Sequence, residues 1–97
     1  MSKETNPDEF YAKLKDQLIQ TSLWPNVYLY KFIVPAQPDQ SKTLLAIFDN
    51  QGAVITSKKS KSGKYESYSI KLKLKNPDAV IAKYKEVAEK IVGVISL

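Results

Sequence analysis

The chain of 97 residues has no cysteine, no histidine and no arginine. Without cysteine there are no disulfides, no thiolate metal sites and no thiol nucleophile. Without histidine the commonest general base and the commonest metal ligand are both missing. Arginine alone offers a planar fork that grips a carboxylate, a phosphate or guanine through two hydrogen bonds, so an all-lysine complement disfavours specific phosphate or base readout. Acyl-phosphate hydrolysis on a small α+β scaffold, which sets an arginine on the phosphate, is disfavoured for the same reason. Glycine occurs three times, too seldom for a phosphate-cradling loop. Ser62-Gly63-Lys64 matches three letters of a Walker motif but lacks its first glycine and its following Ser or Thr, and reads better as a hairpin turn. Carboxylates such as Asp49 and Glu66 stand singly, with no partner that would mark an acid and a base. Together these absences predict a protein that is not an enzyme and needs no cofactor. The longest uninterrupted apolar run, Leu44 to Phe48, is far too short to span a bilayer, and Met1 to Glu9 lack the apolar segment of a signal peptide. The expected location is cytoplasmic.

What is present fits one domain. A chain of this length buries roughly 60 to 70% of its unfolded surface, enough for a single core. Residues 1–6 read as a flexible tail and residues 7–97 as the domain. Asn6-Pro7-Asp8-Glu9 is a helix start: an N-cap, a proline where its missing N–H costs nothing, and two acids at the positive end of the dipole. The first helix, residues 7–20, carries Phe10, Tyr11, Leu14 and Leu18 as one apolar stripe, with Lys13, Lys15 and Asp16 on the far side. Trp24-Pro25 follows, the tryptophan read as a structural anchor.

From residue 27 the order is strand, helix, strand, strand, helix, strand. The first strand is Val27 to Val34. The next helix runs from Pro38 to about Asn50, with Leu44, Leu45, Ile47 and Phe48 buried. The second strand is Ala53 to about Ser60, and the third alternates Tyr68, Ile70, Leu72 and Leu74 on one face with Tyr65, Ser67, Ser69, Lys71, Lys73 and Lys75 on the other. Asn76-Pro77-Asp78 repeats the earlier cap and opens a helix to Lys90 with Val80, Ile81, Tyr84, Val87, Ala88 and Ile91 inward; a last strand spans Val92 to Leu97. Short connections and right-handed crossovers turn this order into an α+β ferredoxin-like plait (βαββαβ): four antiparallel strands in the order 4-1-3-2, two helices on one face, and the N-terminal helix in addition. Gly93, Ile95 and Leu97 are expected toward the helices. Val92, Val94, Leu29 and Ile33 are then left on the open face beside the basic residues of the third strand. The expected cover for that face is the N-terminal helix, with an isologous dimer as the alternative.

The most charged stretch is Lys58 to Lys75, seven lysines against Glu66, a net +6 in a molecule of net charge +5. Its polar row of Lys58, Ser60, Gly63, Lys64, Tyr65, Ser67, Ser69 and Lys71 is the candidate surface for a small anionic ligand or an acidic protein. Much of the charge also serves solubility and protects a sheet edge.

Trp24-Pro25, Tyr30-Lys31 and Lys58-x-Ser60-x-x-Gly63-x-Tyr65-x-Ser67-x-Ser69-Ile70, followed by a carboxy-terminal strand ending in Leu97, make residues 22–97 resemble the YbeD-like family of small bacterial proteins. The resemblance implies a ferredoxin-like plait, similar to the ACT regulatory domains that bind amino acids at dimer interfaces, in a cytosolic bacterial protein with no assigned reaction. The expected function is a non-catalytic regulatory or protein-interaction module, monomeric or weakly dimeric. The alternative is weak electrostatic nucleic-acid binding through the lysine-rich hairpin, without the aromatic platform that stacks bases.

Overall fold

The computed structural model describes residues 7–49 and 51–96. Its elements are α1 (Pro7–Thr21), β1 (Asn26–Pro35), α2 (Pro38–Ile47), β2 (Val54–Lys59), β3 (Tyr65–Leu74), α3 (Pro77–Lys90) and β4 (Ile95–Ser96). Proline opens all three helices, where its fixed φ suits the first turn. Asn76 caps α3 as expected, its Oδ1 accepting from Ala79 N at 2.9 Å. The cap proposed at Asn6 lies outside the described residues, as do the tail and the inward placement of Leu97. α2 stops at Ile47 rather than near Asn50, which also lies outside the described residues. Phe48 and Asp49 donate to carbonyls three residues back, and Lys83 Nζ takes the Ile47 carbonyl at 2.7 Å, so the end is closed by a tight turn and a side chain from α3.

The strands form one antiparallel sheet in the order β2-β3-β1-β4, the expected order seen from the opposite edge. β1 and β3 pair along their whole lengths, from Asn26↔Leu74 to Pro35↔Tyr65, and form the centre of the sheet. Their even-numbered residues face the helices. Tyr30, Phe32, Val34, Tyr68, Ile70 and Leu72 are buried against Leu44, Ile47 and Phe48 on one side and Val80, Tyr84, Val87 and Ile91 on the other. Aromatic rings dominate: Tyr30 stacks on Phe32 at 5.6 Å and meets Tyr84 edge-on at 4.9 Å. The buried Tyr30 hydroxyl donates to the Val80 carbonyl at 3.0 Å, so its desolvation is compensated.

Four expectations are corrected. First, α1 does not cover the open face of the sheet. It packs on α3, in the helical layer, with Leu18 in the core, Lys15 bridging Asp78 at 2.9 Å and Lys85 above the Tyr11 ring. The stripe is narrower than read: Phe10 is exposed, and Lys15 turns toward α3 instead of lying on the far side. Trp24 is the anchor expected of it, its Nε1 donating to the Leu18 carbonyl at 3.1 Å. Second, β4 is short and its register is shifted by one. Ile33 pairs with Ile95, which puts Ile95 on the open face, while Val94 packs against the core. The cause is a turn at Gly93, with φ +76, that breaks the alternation between Ile91 and Ile95. Third, Leu45 is exposed on α2. Fourth, Ala88 is exposed on α3.

Burial holds the phenols of Tyr30 and Tyr84 protonated well above their ordinary range. In the unfolded chain they ionise near pH 10, so their contribution is fully present below about pH 10 and is lost as pH rises beyond it. Urea unfolding followed against pH is expected to show steepening destabilisation above about pH 10. Tyr30→Phe should flatten that limb while costing about 1 kcal/mol at neutral pH for the lost Val80 bond; an unchanged alkaline limb in this variant would contradict the assignment.

Candidate functional site

With every helix packed on one side among the described residues, the odd-numbered residues of β1 and β3 form an uncovered face. Its cross-strand rows follow from the register. Ile95, Ile33, Ser67 and Lys58 make the first row, Lys31, Ser69 and Thr56 the second, Leu29, Lys71 and Val54 the third, and Val27 and Lys73 the fourth. Two properties distinguish the surface. Val27, Leu29, Val54, Tyr65 and Ile95 are 42–62% exposed on it. Its charged side chains, Lys31, Lys58, Lys71 and Lys73, are all cationic, because Glu66, the one acid on a strand, stands in the even-numbered row on the helical side.

These four lysines make no ion pair among the described residues; the ion pairs there are Lys15–Asp78 and Glu86 with Lys83 and Lys90, all on helices. Neighbours two apart on a strand lie about 7 Å apart. At that distance two ammonium groups repel by roughly 0.6 kcal/mol in water before salt screening. The face is a mild concentration of positive charge on an aliphatic background, suited to a partner that brings carboxylates and apolar side chains together.

The structure divides the candidate residues read from the sequence. Lys58, Tyr65, Ser67, Ser69 and Lys71 fall on the open face, whereas Ser60, Gly63 and Lys64 form the β2–β3 turn. Ser60 closes that turn: its Oγ accepts from Tyr65 N at 3.2 Å, its N–H donates to the Tyr65 carbonyl, and its own carbonyl accepts from Gly63 N at 3.0 Å. Gly63 holds φ +75, in the left-handed region. Lys64 N donates to Ser62 Oγ, and the Lys64 carbonyl accepts from Ala36 N at 2.9 Å. Ser67 Oγ donates across the ladder to the Lys58 carbonyl at 3.3 Å. Spaced serines and glycine therefore build the hairpin, and Ser69 is the wet-row serine whose hydroxyl has no such bond among the described residues. Leu29 and Lys31 of β1, Val54 of β2, Lys73 of β3 and Ile95 of β4 join the surface. Strand alternation carries the signal for Lys31 and Lys73; Ile95 could not be placed before the Gly93 turn was known.

An open recess of about 180 Å³ lies on the helical side of the hairpin, between Ala36, Gln37, Pro38 and Ser41 and the side chains of Lys59 and Glu66. It is smaller than the roughly 300 Å³ at which small-molecule pockets begin, and Glu66 offsets the charge of Lys59.

No family model matches the chain, and no curated protein matches it. Among solved structures it is similar to protein HP0495 from H. pylori, determined in solution, with 20% sequence identity and a TM-score of 0.58 over 77% of this chain and 86% of that one. At this identity the likeness shows the fold alone. No helix among the described residues is long and apolar enough to cross a membrane.

A Cβ at Gly63 would meet no neighbour within 4 Å, so the cost of substitution there is backbone strain alone. Gly63→Ala is expected to destabilise by about 1 kcal/mol and Gly63→Asn by less, measured by chemical denaturation. Amide shifts in both variants should move around residues 58–67 and leave Leu29 and Ile33 in place; shifts spread over the whole sheet would show that the turn has a wider role.

Proposed function

We propose that the protein is a non-catalytic interaction module whose open sheet face docks an acidic surface of another protein. The observation that carries this is the face itself: four lysines, no carboxylate from any strand, and five exposed apolar side chains on one rigid sheet. Exposed apolar side chains gathered among charges of one sign are typical of a contact surface. The finer architecture is read as a ferredoxin-like plait with an added N-terminal helix, and the hairpin pattern as YbeD-like, similar to ACT regulatory domains in a cytosolic setting. The regulatory ligand of such a domain finds less support, since the recess beside Lys59 is small and shared with Glu66. Nucleic-acid binding is the weaker reading because the central strands present Leu29, Lys31, Ile33, Ser67, Ser69 and Lys71 where stacking aromatics would be needed, and Tyr65 sits at the end of the face beside Pro35.

Crosslinking capture from cell extract tests the proposal, with three baits: the parent, an open-face variant carrying Lys31→Glu, Lys71→Glu and Lys73→Glu, and a control carrying Lys13→Glu, Lys42→Glu and Lys61→Glu. Both variants change the net charge equally, at exposed positions. A protein held by the parent and the control but lost from the open-face variant is expected. Equal behaviour of the two variants would sink the proposal. Salt-sensitive duplex DNA binding with a log–log slope of about −3.6, lost only from the open-face variant, would move the assignment to nucleic acid.

A further inference from the structure

Among the described residues the lane beside β1 is only partly filled. Ala36 N donates to the Lys64 carbonyl, which fixes the phase of the ladder: the even-numbered residues of β1 exchange main-chain bonds with β3, and Val27, Leu29, Lys31 and Ile33 turn theirs toward the β4 side. β4 stands opposite Phe32 and Ile33, and no described strand lies opposite residues 26–30 on that side. Asn26 Oδ1 takes the Val27 N–H at 2.8 Å. The N–H and C=O of Leu29 have no main-chain partner among the described residues. A main-chain donor and acceptor at a strand edge, next to exposed apolar side chains, form a template for a further strand.

We infer that this lane takes an extended segment of a partner protein, added to β1 in line with β4, with alternating acidic and apolar residues. The inference rests on the proposed acidic partner of the open face and gives its form. On the open side the added strand's side chains would lie beside Leu29 and Lys31, within one further strand of Lys71 and Lys73, which selects acids. On the helical side they would lie beside half-buried Tyr28, whose hydroxyl meets that of Tyr84 at 2.8 Å, which selects apolar groups. The outer edge of β2 is the competing site, but its helical-side neighbours are Ile55, Ser57 and Lys59, which offer less to bury, and lysines there obstruct strand addition. A second copy of this chain fits poorly, since its strands carry lysines and a single acid, Glu66. The part of the lane opposite residues 26–30, which no described strand occupies, is about 17 Å long, room for about five residues of extended chain.

Amide hydrogen exchange followed by NMR on the full chain tests this, with a capped eight-residue peptide of alternating Glu and Val as probe and, as control, the same peptide N-methylated at its two central glutamates, whose N–H groups would face Leu29. In the free protein the Leu29 amide should exchange at least about tenfold faster than those of Tyr28 and Tyr30, which bond to β3. The probe should slow Leu29 about tenfold or more, and the N-methylated peptide should not. Lys31→Glu with Lys73→Glu should weaken the probe about three- to tenfold. A Leu29 amide already slow without probe, concentration-dependent protection without probe, or protection confined to Ile55, Ser57 and Lys59 would each overturn the lane. If both peptides shift the open-face resonances while Leu29 stays unprotected, the acidic partner survives and the added strand does not; if neither peptide touches that face, both fall.

Discussion

The pleat of β1 is the constraint on which the rest depends. Tyr30, Phe32 and Val34 are fully buried on one side of it, and truncating such an aromatic to alanine typically costs roughly 3–5 kcal/mol. A slip of one residue would bury Lys31 and expose both rings, so the register is fixed by a penalty far larger than any surface interaction. Everything on the opposite side inherits that choice. Lys31 faces Ser69 and Leu29 faces Lys71 because Tyr30 must face Ile70. The same parity sends the Leu29 main chain away from β3. The character of the open face is thus set from inside the molecule.

The helical layer determines why that face stays open. α3 is its central element, touching α1 through Lys15–Asp78 and the Lys85–Tyr11 pair, and reaching α2 through Lys83, which binds the Ile47 carbonyl and sits over Phe48. Glu86 lies between Lys83 and Lys90, and its hydrogen bond with Lys90 is the main cause that holds its carboxyl below the usual range. The ion pairs of the described residues are therefore gathered on the helices, and the lysines of the open face have none among those residues. Charge segregation follows the layers: carboxylates occupy helix starts and helix faces, where dipoles and neighbouring lysines favour them, while every strand but β3 lacks them.

Much of this architecture was legible because it rests on periodicity. The alternation from Tyr68 to Leu74, the two Asn-Pro-Asp starts and the positive-φ glycines at 52 and 63 led to elements, strand order and a core close to those observed. The errors arose where periodicity is silent. The stripe of α1 announces that it must be buried but not against what; its partners prove to be the core around Leu18 and, on α3, Asp78 and Lys85, some sixty residues or more away in sequence. The register of β4 could not be carried back through a left-handed Gly93, beyond which Val94 and not Ile95 packs against the core. The hairpin pattern was read as one polar set, yet Ser60, Gly63 and Ser67 are occupied in main-chain geometry, which a sequence pattern cannot separate from recognition. Lys31, from the neighbouring strand, belongs to the same surface, and there the alternation of β1 does carry the signal.

A sheet with one face uncovered among the described residues invites self-association, since two copies could bury Leu29, Ile33 and Ile95 against each other. Stacking two such faces would bring eight lysines into one interface with no acid from either sheet, and desolvating unpaired ammonium groups costs several kcal/mol each. The aliphatic gain, about 25 cal/mol for each Å² of apolar surface, would have to exceed that sum over a face on which lysines and leucines alternate. A partner that carries carboxylates meets the same aliphatic groups and removes the penalty. The lysines that would oppose the stacking of two copies are thus the same groups that a carboxylate-bearing partner would neutralise, so resistance to self-association and choice of partner would share one physical origin.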